Sequence, residues 1–129
     1  MSVYYFNKKL DTSFDDAIKQ ITEQLKQRGF GILTEIDVKQ TFKMKLDVEF
    51  RNYRILGACN PNFAFKAFTA EDKIGTMLPC NVIVQELEDG KIEVAAIDPI
   101  ESMKAVENET LGKVASEVRE LLKASIESL

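Results

Sequence analysis

The sequence has no histidine, only two cysteines and no long apolar run, and each absence excludes a class of protein. Without histidine, Ser-His-Asp and Cys-His catalysis and histidine-ligated metal sites are excluded. Two cysteines form at most one disulfide, far fewer than in a small secreted module. The apolar runs are much shorter than the ~20 residues of a membrane span, and the first residues lack the pattern of a signal peptide. We therefore expect a cytoplasmic protein with reduced thiols and no membrane partner.

The charge pattern argues against nucleic acid as a partner. Seventeen basic residues face 21 acidic ones, which gives a net charge of −4. The most basic stretch, residues 39–54, is interrupted by Asp47 and Glu49. Binding to phosphates requires a contiguous positive face, and we expect none here.

Length and composition predict one folded unit, residues 1–129. With 129 residues and 45% apolar residues, the chain has the size and the apolar content of a single soluble domain with a full core. No linker, low-complexity tract or repeat divides it.

Two helices have clear sequence signals. Ser13 is a predicted N-cap for a helix over residues 14–28, and Gly29 followed by Phe30 matches a Schellman ending. Asn108 is a predicted cap for the last helix, residues 109–128, whose apolar residues recur at helical spacing. We expect these two helices to pack side by side on a sheet.

Five segments have the character of strands: residues 3–8, 31–36, 53–59, 77–87 and 91–97. Asp89-Gly90 between the last two is a strong hairpin signal. Residues 38–46 are ambiguous, because strict alternation from Phe42 to Phe50 favours a strand, whereas Val38, Phe42 and Leu46 have helical spacing. Periodicity alone slightly favours the strand.

Two similar cysteine motifs are the best candidates for a site. Cys59 lies in Cys59-Asn60-Pro61 and Cys80 in Pro79-Cys80-Asn81, at a strand end and a strand start. If the two strands are antiparallel neighbours, the thiols lie close together. Asn60 before a proline is typical of a helix N-cap, but Asn81 is unusual, because asparagine is depleted in strands.

Three functions fit these motifs. The leading hypothesis is a small-ligand site formed by Cys59, Asn60, Cys80 and Asn81. The first alternative is a thiol-dependent or redox enzyme, which would need a carboxylate or lysine as base. The second is a structural interaction module with no ligand. The sequence indicates no particular cofactor, and two thiols are too few for a closed zinc site, so we expect no metal at Cys59 and Cys80.

The segment from residue 61 to 69 is a predicted helix that is apolar nearly all round. Ala64, Ala67 and Phe68 make the better inward face, which leaves Phe65 to face outward. Because one sheet cannot cover every face of such a helix, we expect a homodimer with Phe65 at its interface.

Four segments together resemble the uncharacterised family known as domain of unknown function 302. They are GFGILTEIDV (residues 29–38), YRILGACNP (53–61), IGTMLPCNV (74–82) and IDP (97–99). The resemblance covers essentially the whole chain. It implies a single α+β domain similar to the TATA-binding-protein-like β-α-β(4)-α arrangement, with helices on one face of a curved, largely antiparallel sheet. It also implies a helix over residues 38–46, but no activity, and a shared fold does not establish DNA binding.

Overall fold

Five antiparallel strands form one open sheet in the order β1-β5-β4-β3-β2, in a computed structural model that describes residues 3–129. The strands are β1 Tyr5–Leu10, β2 Gly31–Asp37, β3 Tyr53–Cys59, β4 Cys80–Glu86 and β5 Ile92–Ile97. The helices are α1 Phe14–Gln27, α2 Val38–Leu46, α3 Pro61–Ala70, α4 Pro99–Ser102 and α5 Glu109–Glu127, with a 3-10 turn at Ile74–Met77. The helices pack on one side of the sheet, which confirms the α+β fold expected from the sequence.

The pleat gives the sheet two different faces. Val82, Val84 and Val94 are fully buried beneath the helices. Their neighbours along each strand point the other way, because side chains alternate across a sheet. Ile83, which pairs with Ala95 on β5 and with Ile55 on β3, therefore belongs to the side without helices, called here the open face.

Helices α1 and α5 begin and end as their sequences predict. The Ser13 hydroxyl accepts a hydrogen bond from the Asp16 amide at 3.1 Å. Gly29 has φ +88°, and the Phe30 amide donates to the Leu25 carbonyl at 3.0 Å, which completes a Schellman ending. The Asn108 carboxamide accepts from the Leu111 amide at 3.0 Å. These local hydrogen bonds fix where both helices start and where α1 stops.

Residues 38–46 are helical. The strand that periodicity slightly favours is therefore wrong, and the helix implied by the family resemblance is confirmed. The Asp37 carboxylate accepts from the Gln40 amide at 2.9 Å and caps the first turn. No residue of α2 is buried. Val38 and Phe42, four residues apart, are partly buried, and the other residues of α2 are exposed. The exposed apolar residues are not held to helical spacing, so their alternation is no evidence for a strand.

The fourth strand begins later than its apolar run. The predicted strand starts at residue 77, but the 3-10 turn runs to Met77 and β4 begins at Cys80. The hairpin to β5 is where Asp89-Gly90 predicts it, with Gly90 at φ +86° and its amide donating to Leu87 at 2.9 Å. The later start puts Cys80 at the first position of the strand.

Candidate functional site

Cys59 and Cys80 lie on neighbouring antiparallel strands, the arrangement expected to bring the two thiols close together. Ala58 is directly opposite Cys80 in the β3–β4 register. Directly opposed Cα atoms are at most about 5.5 Å apart, and consecutive Cα atoms are about 3.8 Å apart. The Cα atoms of the two cysteines are therefore within roughly 9 Å. Both cysteines are free.

A cavity of about 180 Å³ lies between this end of the sheet and helices α3 and α5. Its lining includes both cysteines and is otherwise almost entirely hydrocarbon. The buried wall is formed by Ala58 and Cys80 from the sheet, Ala67 from α3, and Ala115 and Val118 from α5. Three alanines from three different elements face the same space, so the side chains present are too small to fill it.

The cavity opens where its lining residues reach solvent. Leu33, the extra residue of a β-bulge in β2, is 67% exposed, and Phe68 on α3 is 49% exposed. Cys59 and Asn60 are half-buried beside them. The opening is thus bordered by two apolar side chains, one thiol and one carboxamide.

Burial controls the chemistry of the inner thiol. Removal from water raises the pKa of the Cys80 thiol to about 11, and the nearby Cys59 adds to the rise. The cavity lining contains no carboxylate, lysine or arginine. Cys80 is therefore protonated and neutral at neutral pH, and it lines the cavity as a small, soft, weakly polar group.

The Asn60 side chain connects the start of α3 to the end of α1 and does not cap α3. It occupies the N-cap position of α3, but its side chain makes no capping hydrogen bond. Its Nδ2 donates to the Arg28 carbonyl at 3.2 Å, and the carboxamide lies against Gly29. The N-cap interpretation from the sequence is therefore wrong for the side chain, because the end of α1 comes close enough to take the donor.

Asn81 does not join the other three candidate residues. It is exposed and pairs with Gly57, whereas the buried Cys80 points under the helices. Asn81 is on the face of the sheet opposite to Cys80 and does not line the cavity. The structure therefore brings Cys59, Asn60 and Cys80 to one cavity and leaves Asn81 outside it.

Comparison with known proteins identifies the family. A family profile described as "Domain of unknown function DUF302" matches residues 6–129. The chain belongs to this family. It is similar to a solved structure described as the "Crystal structure of uncharacterized conserved protein DUF302 from Bacillus stearothermophilus". The TM-score is 0.90 at 24% identity, over 98% of each chain. That likeness shows a common fold. No curated protein matches the sequence.

Helix α3 of this DUF302 domain exposes the residue that the sequence places outward. Phe65 is 76% exposed, and Ala67 on the opposite side is buried. Phe68, which the helical pattern predicts to face inward, is instead half exposed at the cavity opening. The helix therefore has two large aromatic side chains in contact with solvent.

Two further features of the DUF302 chain bear on function. None of the helices within residues 3–129 has the length and apolar character needed to cross a bilayer. In the same part of the chain, no group of three or more cysteine and carboxylate side chains lies together in a way that would hold a metal ion.

The apolar cavity is the feature of this candidate site that sequence reasoning missed. The cysteine motifs point to this end of the sheet, but the space depends on Ala58, Ala67 and Ala115, which are far apart in sequence. The sequence shows these alanines, but their common position around one space follows only from the packing of the three elements.

Proposed function

We propose that this DUF302 protein is a binding domain for a small, largely apolar molecule held in the cavity beside Cys80. The observation that carries the proposal is an unfilled space of about 180 Å³ with a nearly pure hydrocarbon and thiol lining and an opening to solvent. Protein interiors are normally close-packed. A void of this size in a domain of 129 residues is unusual and supports a binding role.

The volume and lining define the ligand class. An apolar cavity of about 150 Å³ stays dry and binds benzene or xenon. The present cavity accommodates a molecule of similar size, such as a single aromatic ring or a short aliphatic chain. A polar substituent would lie at the opening, where Asn60 and Cys59 offer the nearest polar atoms.

Binding without catalysis fits the cavity better than thiol chemistry does. A thiol nucleophile requires a nearby base or a depressed pKa, but no acidic or basic side chain lines this cavity and burial raises the pKa of Cys80. The thiols instead supply polarizable contacts for an apolar guest.

A cavity-filling variant tests the binding site. Titration with benzene and with indole, followed by NMR amide shifts, should show saturable binding with the largest changes around Cys80 and Val118. Ala67→Leu places a larger side chain in the cavity and should abolish binding. Ala105→Leu, the same change at an exposed position, should bind as the wild type does. The proposal fails if neither probe binds, or if Ala67→Leu binds both probes with unchanged affinity.

We also propose that two copies associate through α3 to form a cytoplasmic homodimer. The exposed rings of Phe65 and Phe68 support an apolar contact, and the two free thiols suit a reducing compartment. Charge supports a twofold arrangement. Lys66 borders one surface groove beside Phe63, and Glu117 and Glu120 border a second one. A twofold contact that sets Lys66 of one copy opposite the acidic pair of the other would be favoured by charge.

A further inference from the structure

The open face of the sheet contains all three tyrosines of the chain. Tyr4, Tyr5 and Tyr53 border one groove of about 340 Å³, although they come from opposite ends of the first half of the sequence. Asn81, which has no role in the apolar cavity, lines the same groove. A tyrosine side chain presents a flat apolar ring together with a hydroxyl group that donates and accepts hydrogen bonds.

The strand register gives this groove a floor and two walls. Ala95 and Ile83, directly opposite each other on β5 and β4, form an aliphatic floor. One wall, two residues along the strands, contains Glu93, Gln85 and Tyr53. The other contains Tyr5, Ile97 and Asn81. Because each residue advances a strand by about 3.3 Å, the backbones beneath the two walls are roughly 13 Å apart.

One wall is held rigid by a chain of hydrogen bonds. Arg51 Nε donates to Gln85 Oε1 at 2.9 Å. Gln85 Nε2 donates to Glu93 Oε1 at 2.8 Å, and Asn7 Nδ2 donates to Glu93 Oε2 at 2.9 Å. The carboxylate and the guanidinium are linked through Gln85. Among the residues that line the groove, Glu93 is the one carboxylate, and Arg51 lies outside the lining.

The opposite wall has an unused carboxamide. Within residues 3–129, the Asn81 side chain makes no hydrogen bond to another protein group, whereas the side-chain amides of Asn7, Gln85 and Asn60 each make at least one. Asparagine is also disfavoured in strands. Asn81 therefore offers a free donor and a free acceptor above the apolar floor.

We propose that this groove binds a neutral saccharide. A sugar ring has an apolar C–H face for the Ala95 and Ile83 floor and for the tyrosine rings. Its hydroxyl groups both donate and accept, so they match carboxamides, tyrosine hydroxyls and the Glu93 oxygens equally well. The Glu93 carboxylate disfavours an anionic ligand, and its two oxygens already accept hydrogen bonds from Asn7 and Gln85, which suits a neutral polar ligand. This site is separate from the apolar cavity and does not depend on the function proposed for it.

Tyrosine fluorescence provides a direct test, because the protein has no tryptophan and every tyrosine lines the groove. Maltotriose, cellotriose and chitotriose are the probes. Adenosine represents another ligand class, and its binding is measured by NMR amide shifts. We expect at least one sugar to cause a saturable change in tyrosine emission and in the amide shifts of residues 81–85. The affinity should be insensitive to salt up to ~1 M, where charge interactions are screened within about 3 Å.

Three variants assign the signal to the groove. Asn81→Ala should weaken sugar binding about tenfold, which corresponds to ~1.4 kcal/mol. Asn62→Ala, the same change on the exposed face of α3, and Ala67→Leu in the apolar cavity should leave sugar affinity unchanged. The proposal is overturned if no sugar produces a saturable response, if only adenosine binds, or if Asn81→Ala binds sugar as tightly as the wild type.

Discussion

Cys80 lies directly opposite Ala58 on the neighbouring strand, and Cys59 is the residue that follows Ala58. The two thiols nevertheless have different surroundings. Cys80 is buried and Cys59 is half-buried at the cavity opening. Burial raises the pKa of Cys80 to about 11, with a smaller contribution from Cys59. Two similar sequence motifs therefore give one inert and one accessible thiol.

Alkylation should distinguish the two cysteines. At neutral pH, iodoacetamide should modify Cys59 well before Cys80, because the thiolate is the reacting species and Cys80 is both buried and protonated. Peptide mapping by mass spectrometry at successive times measures both rates, and denatured protein, in which the two rates should converge, is the control. Equal rates in the folded protein would contradict the buried position of Cys80.

The same thiol should make stability depend on alkaline pH. The pKa of Cys80 is raised in the folded protein from its ordinary value of 9.0 to about 11. The stabilisation that the buried, protonated Cys80 thiol contributes to the folded protein is therefore fully present below pH ~9 and lost as the pH rises toward ~11. The loss should be on the order of 2 to 3 kcal/mol. Urea unfolding across this window measures it. Cys80→Ala removes this titration, while the tyrosines and lysines remain. The difference in unfolding free energy between wild type and variant should therefore shrink with rising pH. A constant difference would contradict the account.

Gly57 allows a close approach that no other residue permits. A Cβ atom there would lie 2.1 Å from Thr34 Oγ1 and 2.7 Å from Pro79 Cγ. Gly57→Ala should therefore destabilise the protein by about 1 to 3 kcal/mol. Gly112→Ala is the matched control, because nothing lies within 4 Å of its Cβ position and it is in helix α5. That change should stabilise by roughly 0.5 to 1 kcal/mol. Thermal unfolding of both variants measures the contrast, and effects of the same sign would be inconsistent with it.

Self-association through α3 should depend on Phe65. Phe65→Glu puts a charge at the proposed twofold contact and should give a folded monomer in analytical ultracentrifugation. Met44→Glu is the control, since Met44 on α2 is 75% exposed, close to the 76% of Phe65, but lies outside the contact. A wild type that sediments as a monomer at micromolar concentration would refute the dimer, as would a Phe65→Glu variant that unfolds instead of dissociating.

Local hydrogen-bond signals in this sequence predict structure better than apolar patterns do. Ser13, Gly29 and Asn108 act where the sequence predicts, because a cap needs only residues a few positions away. Alternation fails over α2, which buries no side chain fully and has only Val38 and Phe42 partly buried, at helical spacing. A local hydrogen bond from the Gln40 amide to the Asp37 carboxylate caps that helix.

The candidate site was only partly predictable for a related reason. Strand adjacency brings Cys59 and Cys80 together as expected. Alternation along β4 then places Cys80 on the same side as Val82 and Val84 and turns Asn81 to the open face, and which of these sides is buried depends on the packing of the helices. The N-cap expectation for the Asn60 side chain fails because its partner, the Arg28 carbonyl, is supplied by tertiary packing.

The most direct test of the central claim is diffraction from a crystal held under xenon gas. Xenon occupies dry apolar cavities of about this size. The account predicts a xenon atom between Ala67, Ala115 and Cys80, and none in the Ala67→Leu variant. A cavity that excludes xenon, or one filled by ordered water, would show that this space is not an apolar binding site.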